Sequence, residues 1–256
     1  MFGATENAIL ASVLQEGTTI INNAAREPEI IDLQNFLNKM GAKVKGAGTS
    51  NIEIQGVKHL KDVSYNIMPD RIETGTFLCL SAINRTNLLI KNADANHITP
   101  VINKLEEMGC NLKVEKNEIE INAPKKLKAI DIKTMPYPGF PTDMQQIFIA
   151  LLTTVKGTSI VVENIFENRY RFTQELIRMG AKITIEGKTA IVKGVKKLYG
   201  ANVKAEDLRG GASLVLAGSV AKGITKIENI EYILRGYENF IDKLKKIGVD
   251  IELIKG

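Results

Sequence analysis

One short pattern returns four times along this chain: Met40-Gly41-Ala42-Lys43-Val44, Met108-Gly109-Cys110-Asn111-Leu112, Met179-Gly180-Ala181-Lys182-Ile183 and Ile247-Gly248-Val249-Asp250-Ile251. The glycines stand 68, 71 and 68 residues apart, a period that marks an array of equivalent units. Upstream of each lies a strand-like run: Thr18 to Ile21, Thr86 to Ile90, Thr158 to Val162 and Ile224 to Ile227. In the first copy a helical apolar pattern (Ala8 to Leu14) leads into the strand. An amphipathic helix follows, with Ile30, Ile31, Leu33, Phe36, Leu37 and Met40 at helical spacing. Gly41 fits the end of that helix, and Lys43 to Lys45 and Ile52 to Gln55 read as two further strands. The unit is therefore helix, strand, helix, strand, strand, with a linking strand, Val63 to Ile67, leading to the next copy. A unit this small is expected to leave its core open, so several must pack together with their apolar helices turned inward.

Composition narrows the class. A chain of 256 residues that is 44% hydrophobic can bury a sizeable core as one large or two smaller domains. Its longest apolar stretches, Ile147 to Val155 and Ser213 to Ala221, are too short to cross a bilayer, and no secretory leader precedes Met1-Phe2-Gly3. A soluble cytoplasmic protein without a membrane partner is expected. Cys79 and Cys110 lack metal-ligand spacing and read as buried small hydrophobes. His59 and His97 stand alone, so no metal is expected. The net charge of +5 suits an anionic partner, but dispersed lysines and 5% aromatics do not indicate nucleic acid.

The candidate chemistry sits at helix starts. Pro138-Gly139-Phe140-Pro141-Thr142-Asp143 is a non-helical approach that ends in a helix beginning near Asp143. On its own, Asp143 reads as an N-cap whose carboxylate accepts backbone N–H groups. The repeat adds a second reading. Fourteen residues before Gly17, Arg85, Gly157 and Gly223 stand Gly3, Arg71, Asp143 and Arg209. Equivalent helix starts in a pseudo-symmetric assembly tend to converge, and their free N–H groups favour an anion. Asp207-Leu208-Arg209-Gly210-Gly211 and Met68-Pro69-Asp70-Arg71 share a design of acid and arginine at a helix start, and Arg235 reads as the start of the last amphipathic helix. A converging anion site and an internal ion-pair network both fit these residues.

Taken in order, Ala24-Ala25-Arg26-Glu27-Pro28-Glu29, Pro69 to Gly75, Phe140 to Gln145, Phe166-Glu167-Asn168-Arg169, Asp207 to Arg209 with Ala212 to Gly218, and Arg235-Gly236-Tyr237 resemble the UDP-N-acetylglucosamine enolpyruvyl transferases, the 1-carboxyvinyltransferases of peptidoglycan synthesis. The resemblance runs along essentially the whole chain. It implies an inverse α/β barrel (α+β) fold of six such units, three in each of two domains with the active site in the cleft between them; four are present here. Residues 1–68 would be the last third of one domain and 69–256 most of the other.

The reaction so implied moves the enolpyruvyl group of phosphoenolpyruvate to the 3′-hydroxyl of UDP-N-acetylglucosamine, with no cofactor, and begins the route to cell wall, cell shape and cell division. Asp143 matches the residue that contacts and deprotonates that hydroxyl. Arg209 and Arg235 match the groups holding the carboxylate and phosphate of phosphoenolpyruvate, and Asp207 the neighbour that orients them. Ile165, Phe2 and Gly3 match positions lining the sugar-nucleotide site; Glu27, Asp70 and Arg71 match supporting cleft residues. The family's general-acid cysteine and its early lysine fall upstream of Met1, and neither Cys79 nor Cys110 matches that cysteine. The chain alone is therefore expected to be inactive, with an upstream half of the enzyme as a further partner. A non-catalytic remnant or partner-dependent binding module of the same fold is the alternative. The lone first unit is expected to expose Ile9, Val13, Leu33 and Phe36 and to self-associate or be cut early by protease.

Overall fold

A computed structural model describes residues 2–254; Met1, Lys255 and Gly256 lie outside the described residues. The chain forms two compact units, Met1–Pro69 and Asp70–Gly256.

In the first unit α1 (Phe2–Ser12), β1 (Thr18–Asn22), α2 (Pro28–Lys39), β2 (Lys43–Lys45) and β3 (Asn51–Gln55) follow in that order. The antiparallel sheet runs β1-β3-β2. Contrary to expectation, this unit closes a core of its own. Ile9, Val13, Ile30, Leu37, Val44, Ile52 and Ile54 are buried together, with Leu33 and Phe36 packed against them. Two helices and a three-stranded sheet of the right amphipathicity suffice when the helix pair covers one sheet face. The exposed large apolar residues here are instead Leu10 of α1, Leu14 in the turn after it and Ile31 of α2.

Val63 to Ile67 is not a strand. An extended segment joins a sheet only where an edge lies within hydrogen-bond reach, and here the segment is bound to a helix instead. The Tyr65 hydroxyl donates to Asp32 Oδ1 at 2.8 Å, the Tyr65 ring meets Phe36 edge-on, and Lys39 Nζ donates to the Ser64 carbonyl.

The second unit holds three copies. The first is α3 (Arg71–Asn84), β4 (Asn87–Lys91), α4 (Thr99–Glu107), β5 (Asn111–Glu115) and β6 (Glu118–Asn122), with sheet order β4-β6-β5. The next contains β7 (Ile132–Lys133), α5 (Thr142–Leu152), β8 (Thr158–Val162), α6 (Thr173–Arg178), β9 (Lys182–Glu186) and β10 (Thr189–Lys193), in order β7-β8-β10-β9. The last copy departs from the pattern. It has β11 (Asn202–Lys204), α7 (Leu208–Gly218), β12 (Lys226–Glu228), α8 (Glu231–Leu234) and α9 (Phe240–Lys246), and no strand follows Gly248 among the described residues. Its second helix is broken in two, with Asn239 in the left-handed region at the restart. Linking strands do occur in the last two copies, where β7 pairs with β8 and β11 with β12, both parallel.

The repeated glycine is explained by one capping geometry. Gly41, Gly109, Gly180 and Gly248 have φ of +101°, +101°, +91° and +88°, where a side chain is strained. The residue after each donates its N–H to the carbonyl five residues back, Ala42 to Leu37, Cys110 to Leu105, Ala181 to Leu176 and Val249 to Leu244, every one at 3.0 Å. This closes the Schellman turn and brings a buried leucine against a small apolar residue. Cys110 is in that packing position.

The inner layer of the second unit is helical. Helices α3, α5 and α7 pack on one another, and in α5 every residue from Met144 to Leu152 is buried, as a helix apolar on all sides requires. Gly75 lets α3 come close: a Cβ there would sit 2.8 Å from the Met144 side chain of α5.

Candidate active site

The starts of α5 and α7 meet at a charged cluster. Pro141 precedes α5, and Thr142 opens it. Asp143, the second residue, makes no capping bond. Its Oδ1 accepts Nη2 of Arg169 at 2.7 Å and its Oδ2 accepts Nε of Arg209 at 3.3 Å. The N-cap reading of Asp143 is thereby corrected, for two guanidiniums outcompete the backbone amides for its oxygens. Its side chain is 38% exposed, whereas those of Arg169 and Arg209 are 16% and 11% exposed. Burial pushes the Asp143 carboxyl up, but Arg209 and Arg169 more than offset this and hold it below the ordinary aspartate value. The group is an ionised acceptor with one side open.

Arg209 is held from several directions. Asp207 caps α7 by accepting the N–H groups of Arg209 (3.0 Å) and Gly210 (2.9 Å), while its other oxygen accepts Nε2 of Gln146 on α5 at 3.2 Å. Asp207 therefore locks the two helix starts together. The guanidinium lies 5.3 Å over the Tyr237 ring, and Nη1 finds no acceptor in good geometry among the described residues. Burial alone would lower the Arg209 pKa; Tyr237 and Asp143 raise it overall. Tyr237 is itself buried and shares a 2.9 Å hydrogen bond with Thr76 of α3.

The third helix start stands beside these. Asp70 caps α3 through the N–H groups of Ile72 (2.7 Å) and Glu73 (3.0 Å), and its charge acts on Arg209. Arg71, the first helical residue, lies 5.7 Å over the Tyr137 ring. Ile165 is 38% exposed in the loop after β8. Arg235 does not open a helix: it follows α8, five residues before α9, because Gly236 and Asn239 interrupt the helical run. It is exposed and forms no ion pair among the described residues. In the first unit Phe2 opens α1 and packs on that unit's core, Gly3 is open to a side chain on every side, and Glu27 precedes α2 without a capping bond.

Two residues escaped the sequence reading. Arg169 stood in a quoted motif without a role, yet it is the shortest contact of Asp143 and stacks 4.8 Å over Phe166. Glu163, 1% exposed, received no attention. Its Oε1 accepts Thr134 Oγ1 (2.9 Å), Ile165 N (2.7 Å) and Phe166 N (3.1 Å), and its Oε2 accepts Thr142 Oγ1 (2.8 Å). A signal was present, since the residue after the first strand of each other copy is asparagine: Asn23, Asn92 and Asn229.

Burial raises the thiol pKa of Cys79 well above its usual value and pushes that of Cys110 to about 11. Among the described residues no cluster of His, Cys, Asp or Glu is placed to hold a metal ion, and no helix is long and apolar enough to cross a membrane.

The chain is 53% identical over 250 residues to UDP-N-acetylglucosamine 1-carboxyvinyltransferase 2 of Caldanaerobacter subterraneus subsp. tengcongensis, covering 97% of this chain and 60% of that protein. It is 50% identical over 254 residues to the UDP-N-acetylglucosamine 1-carboxyvinyltransferase of Thermotoga maritima, covering 99% and 60%. The chain thus spans about 60% of the length of the curated relatives it matches. Among solved structures it resembles the enolpyruvyl transferase NikO from Streptomyces tendae, with TM-score 0.88 and 26% identity over 98% of this chain and 60% of that one. EPSP synthase from Acinetobacter baumannii shares the fold at TM-score 0.78 and 20% identity over 98% and 61% of the two chains. Residues 2–244 match the family described as EPSP synthase (3-phosphoshikimate 1-carboxyvinyltransferase), and with the helix-and-strand units of the enolpyruvyl-transferase fold in place, the chain belongs to that family.

Proposed function

We propose that this chain supplies the hydroxyl base and the phosphoenolpyruvate-binding arginines of an enolpyruvyl transferase that acts on UDP-N-acetylglucosamine. The observation that carries this reading is the ionised Asp143 carboxylate, half open and held between Arg169 and Arg209. The sugar-nucleotide acceptor is favoured over a shikimate phosphate because the curated relatives at 50–53% identity act, by name, on UDP-N-acetylglucosamine.

In this reading the acceptor hydroxyl donates to the open side of Asp143, and the loop at Ile165 lines the sugar. Arg209 and the unpaired Arg235 receive the carboxylate and phosphate of phosphoenolpyruvate, with Arg71 and Asp70 in support at the start of α3. When Arg209 turns to the substrate anion, Asp143 loses one of the two cations that hold its pKa down, so its affinity for the hydroxyl proton rises as the reaction needs it. The hydroxyl oxygen then bonds to C2 of phosphoenolpyruvate while C3 takes a proton. From that tetrahedral adduct, loss of a C3 proton and of phosphate gives the enolpyruvyl ether.

Both cysteines are buried, so neither donates the C3 proton. We place that acid, with the second phosphate-binding cation, in the part of the relatives' length that this chain does not cover. By the same reading residues 1–68 are the last third of a three-unit domain and 69–256 most of a second. In support, α3, α5 and α7 bury most of their residues, while α1, of similar composition, buries Thr5, Ile9 and Ser12. Substrates of this kind place the reaction in the cytoplasm, at the entry to peptidoglycan and cell-wall synthesis, and so upstream of cell shape, division and the cell cycle.

The test is phosphate release from phosphoenolpyruvate and UDP-N-acetylglucosamine. We expect none from this chain alone, and release once the N-terminal part of the Caldanaerobacter relative is added. The short coverage and the buried cysteines favour one rival, a binding module without turnover; binding of UDP-N-acetylglucosamine with no release in the mixture would establish it. Turnover by the lone chain would refute the placement of the acid.

A further inference from the structure

The third copy of the repeat breaks its own pattern at the point where it carries Asp143. After the first strand the other copies have Asn23, Asn92 and Asn229, all in the left-handed region with φ of +55°, +54° and +59°. Such asparagines turn the chain locally. At the corresponding place the third copy has Glu163, which is outside the left-handed region and 1% exposed. A buried carboxylate is costly unless its oxygens are fully met, and this one meets four donors on three segments. Thr134 follows β7, Thr142 is the first residue of α5, and the N–H groups of Ile165 and Phe166 belong to the loop after β8. Thr134 extends the network by accepting Asn164 N at 2.9 Å.

These contacts surround Asp143 on both sides. Thr142, its chain neighbour, is tied to Glu163. Across the site, Arg169, at the far end of the loop that Glu163 holds, bonds Asp143 at 2.7 Å and stacks on Phe166. The start of α5 and the loop from Ile165 to Arg169 are thus joined through one buried side chain.

We propose that Glu163 is a positioning residue that fixes the start of α5 and the 164–169 loop as one cradle, so that Ile165 and Arg169 face the ligand in register with Asp143. The pinning stands on geometry alone; the consequence for UDP-N-acetylglucosamine rests on the function proposed above. The role assigned is hydrogen bonding, not charge. Glutamine therefore retains most of it, since Oε1 keeps its three donors and the Thr142 hydroxyl turns to accept from the new amide, whereas alanine leaves the Ile165 and Phe166 amides without an acceptor.

The experiment uses the 256-residue chain and its Glu163→Ala and Glu163→Gln variants in two measurements. By amide hydrogen exchange, Glu163→Ala is expected to speed exchange at Ile165 and Phe166 at least about tenfold and leave Ile119 and Ile121 in β6 unchanged, with Glu163→Gln close to the parent. Unchanged exchange at Ile165 and Phe166 in the alanine variant would overturn the proposal. By titration with UDP-N-acetylglucosamine, the alanine variant is expected to bind at least about tenfold more weakly and the glutamine variant less than about threefold. Equal losses in both would assign the effect to charge, and no loss in either would remove the positioning role; each overturns the proposal. If the parent chain binds neither alone nor together with the N-terminal part of the Caldanaerobacter relative, the functional reading fails, and the exchange result still decides whether Glu163 pins the cradle. Should the alanine variant not fold, Glu163→Asp replaces it, its carboxylate one methylene short of the same donors.

Discussion

Asp143 serves as partner to two arginines whose side chains are far less exposed than its own, and this asymmetry sets what its replacement does. Asp143→Asn keeps the shape but leaves Arg169 and Arg209 facing an amide. In enzyme completed with the relative's N-terminal part, turnover is expected to fall at least about a hundredfold by phosphate release. The stability loss should be only about 1 kcal/mol, because the exposed side of the pair is screened. It should also depend on acid. The folded-state pKa of Asp143 is lowered, so its ion pairs stabilise the fold above the ordinary value of 3.8 and cease to do so as pH falls below that through the folded pKa. Urea midpoints of parent and variant should therefore differ at about pH 6 and draw together as the pH falls below 3.8. Arg235→Ala is the counterpart. With no ion pair to lose, it should leave the urea midpoint within about 0.5 kcal/mol of the parent while raising the KM for phosphoenolpyruvate at least about tenfold.

At the level of elements, the capping turns carry the regularity of the fold. Gly41 has open space around it but a φ of +101°. Gly41→Ala tests backbone strain alone, and a loss of about 1 kcal/mol in urea unfolding is expected, with Gly41→Asn costing less. These turns could be read directly from the sequence because a left-handed glycine after a buried leucine is a local requirement. The partners of Asp143 could not: Arg169 is 26 and Arg209 66 residues away, and only the meeting of α5 with α7 and the loop brings them together. The same limit explains Val63 to Ile67, whose alternating pattern suits a strand but whose Tyr65 found Asp32 on a helix. Arg235 was misplaced because its apolar periodicity continues through Leu234 and Tyr237, and the break at Asn239 is a backbone event with no periodic signature.

For the molecule as a whole, the first unit holds, among the described residues, a core of ten buried apolar side chains, from Ile9 to Ile54. Its surface carries Leu10 of α1 and, in the turn just after that helix, Leu14, which are 49% and 55% exposed. We expect concentration-dependent association in sedimentation velocity, reduced by the double substitution Leu10→Glu and Leu14→Glu without loss of helical content. A parent chain that stays monomeric across the same range would show that this surface is inert.

The four capping turns also bear on the order of folding. Each one ends a helix over a handful of residues, and those at Gly41, Gly109 and Gly180 lead directly into a strand; such short closures form fast. The contacts among α3, α5 and α7 span about 65 to 140 residues of chain and must await the closing of long loops. Pulse-labelled hydrogen exchange during refolding should therefore find the amides of Ala42, Cys110, Ala181 and Val249 protected before those of α5. The charged cluster exists only where α5 meets α7, so a refolding molecule acquires its secondary structure early and its chemistry last.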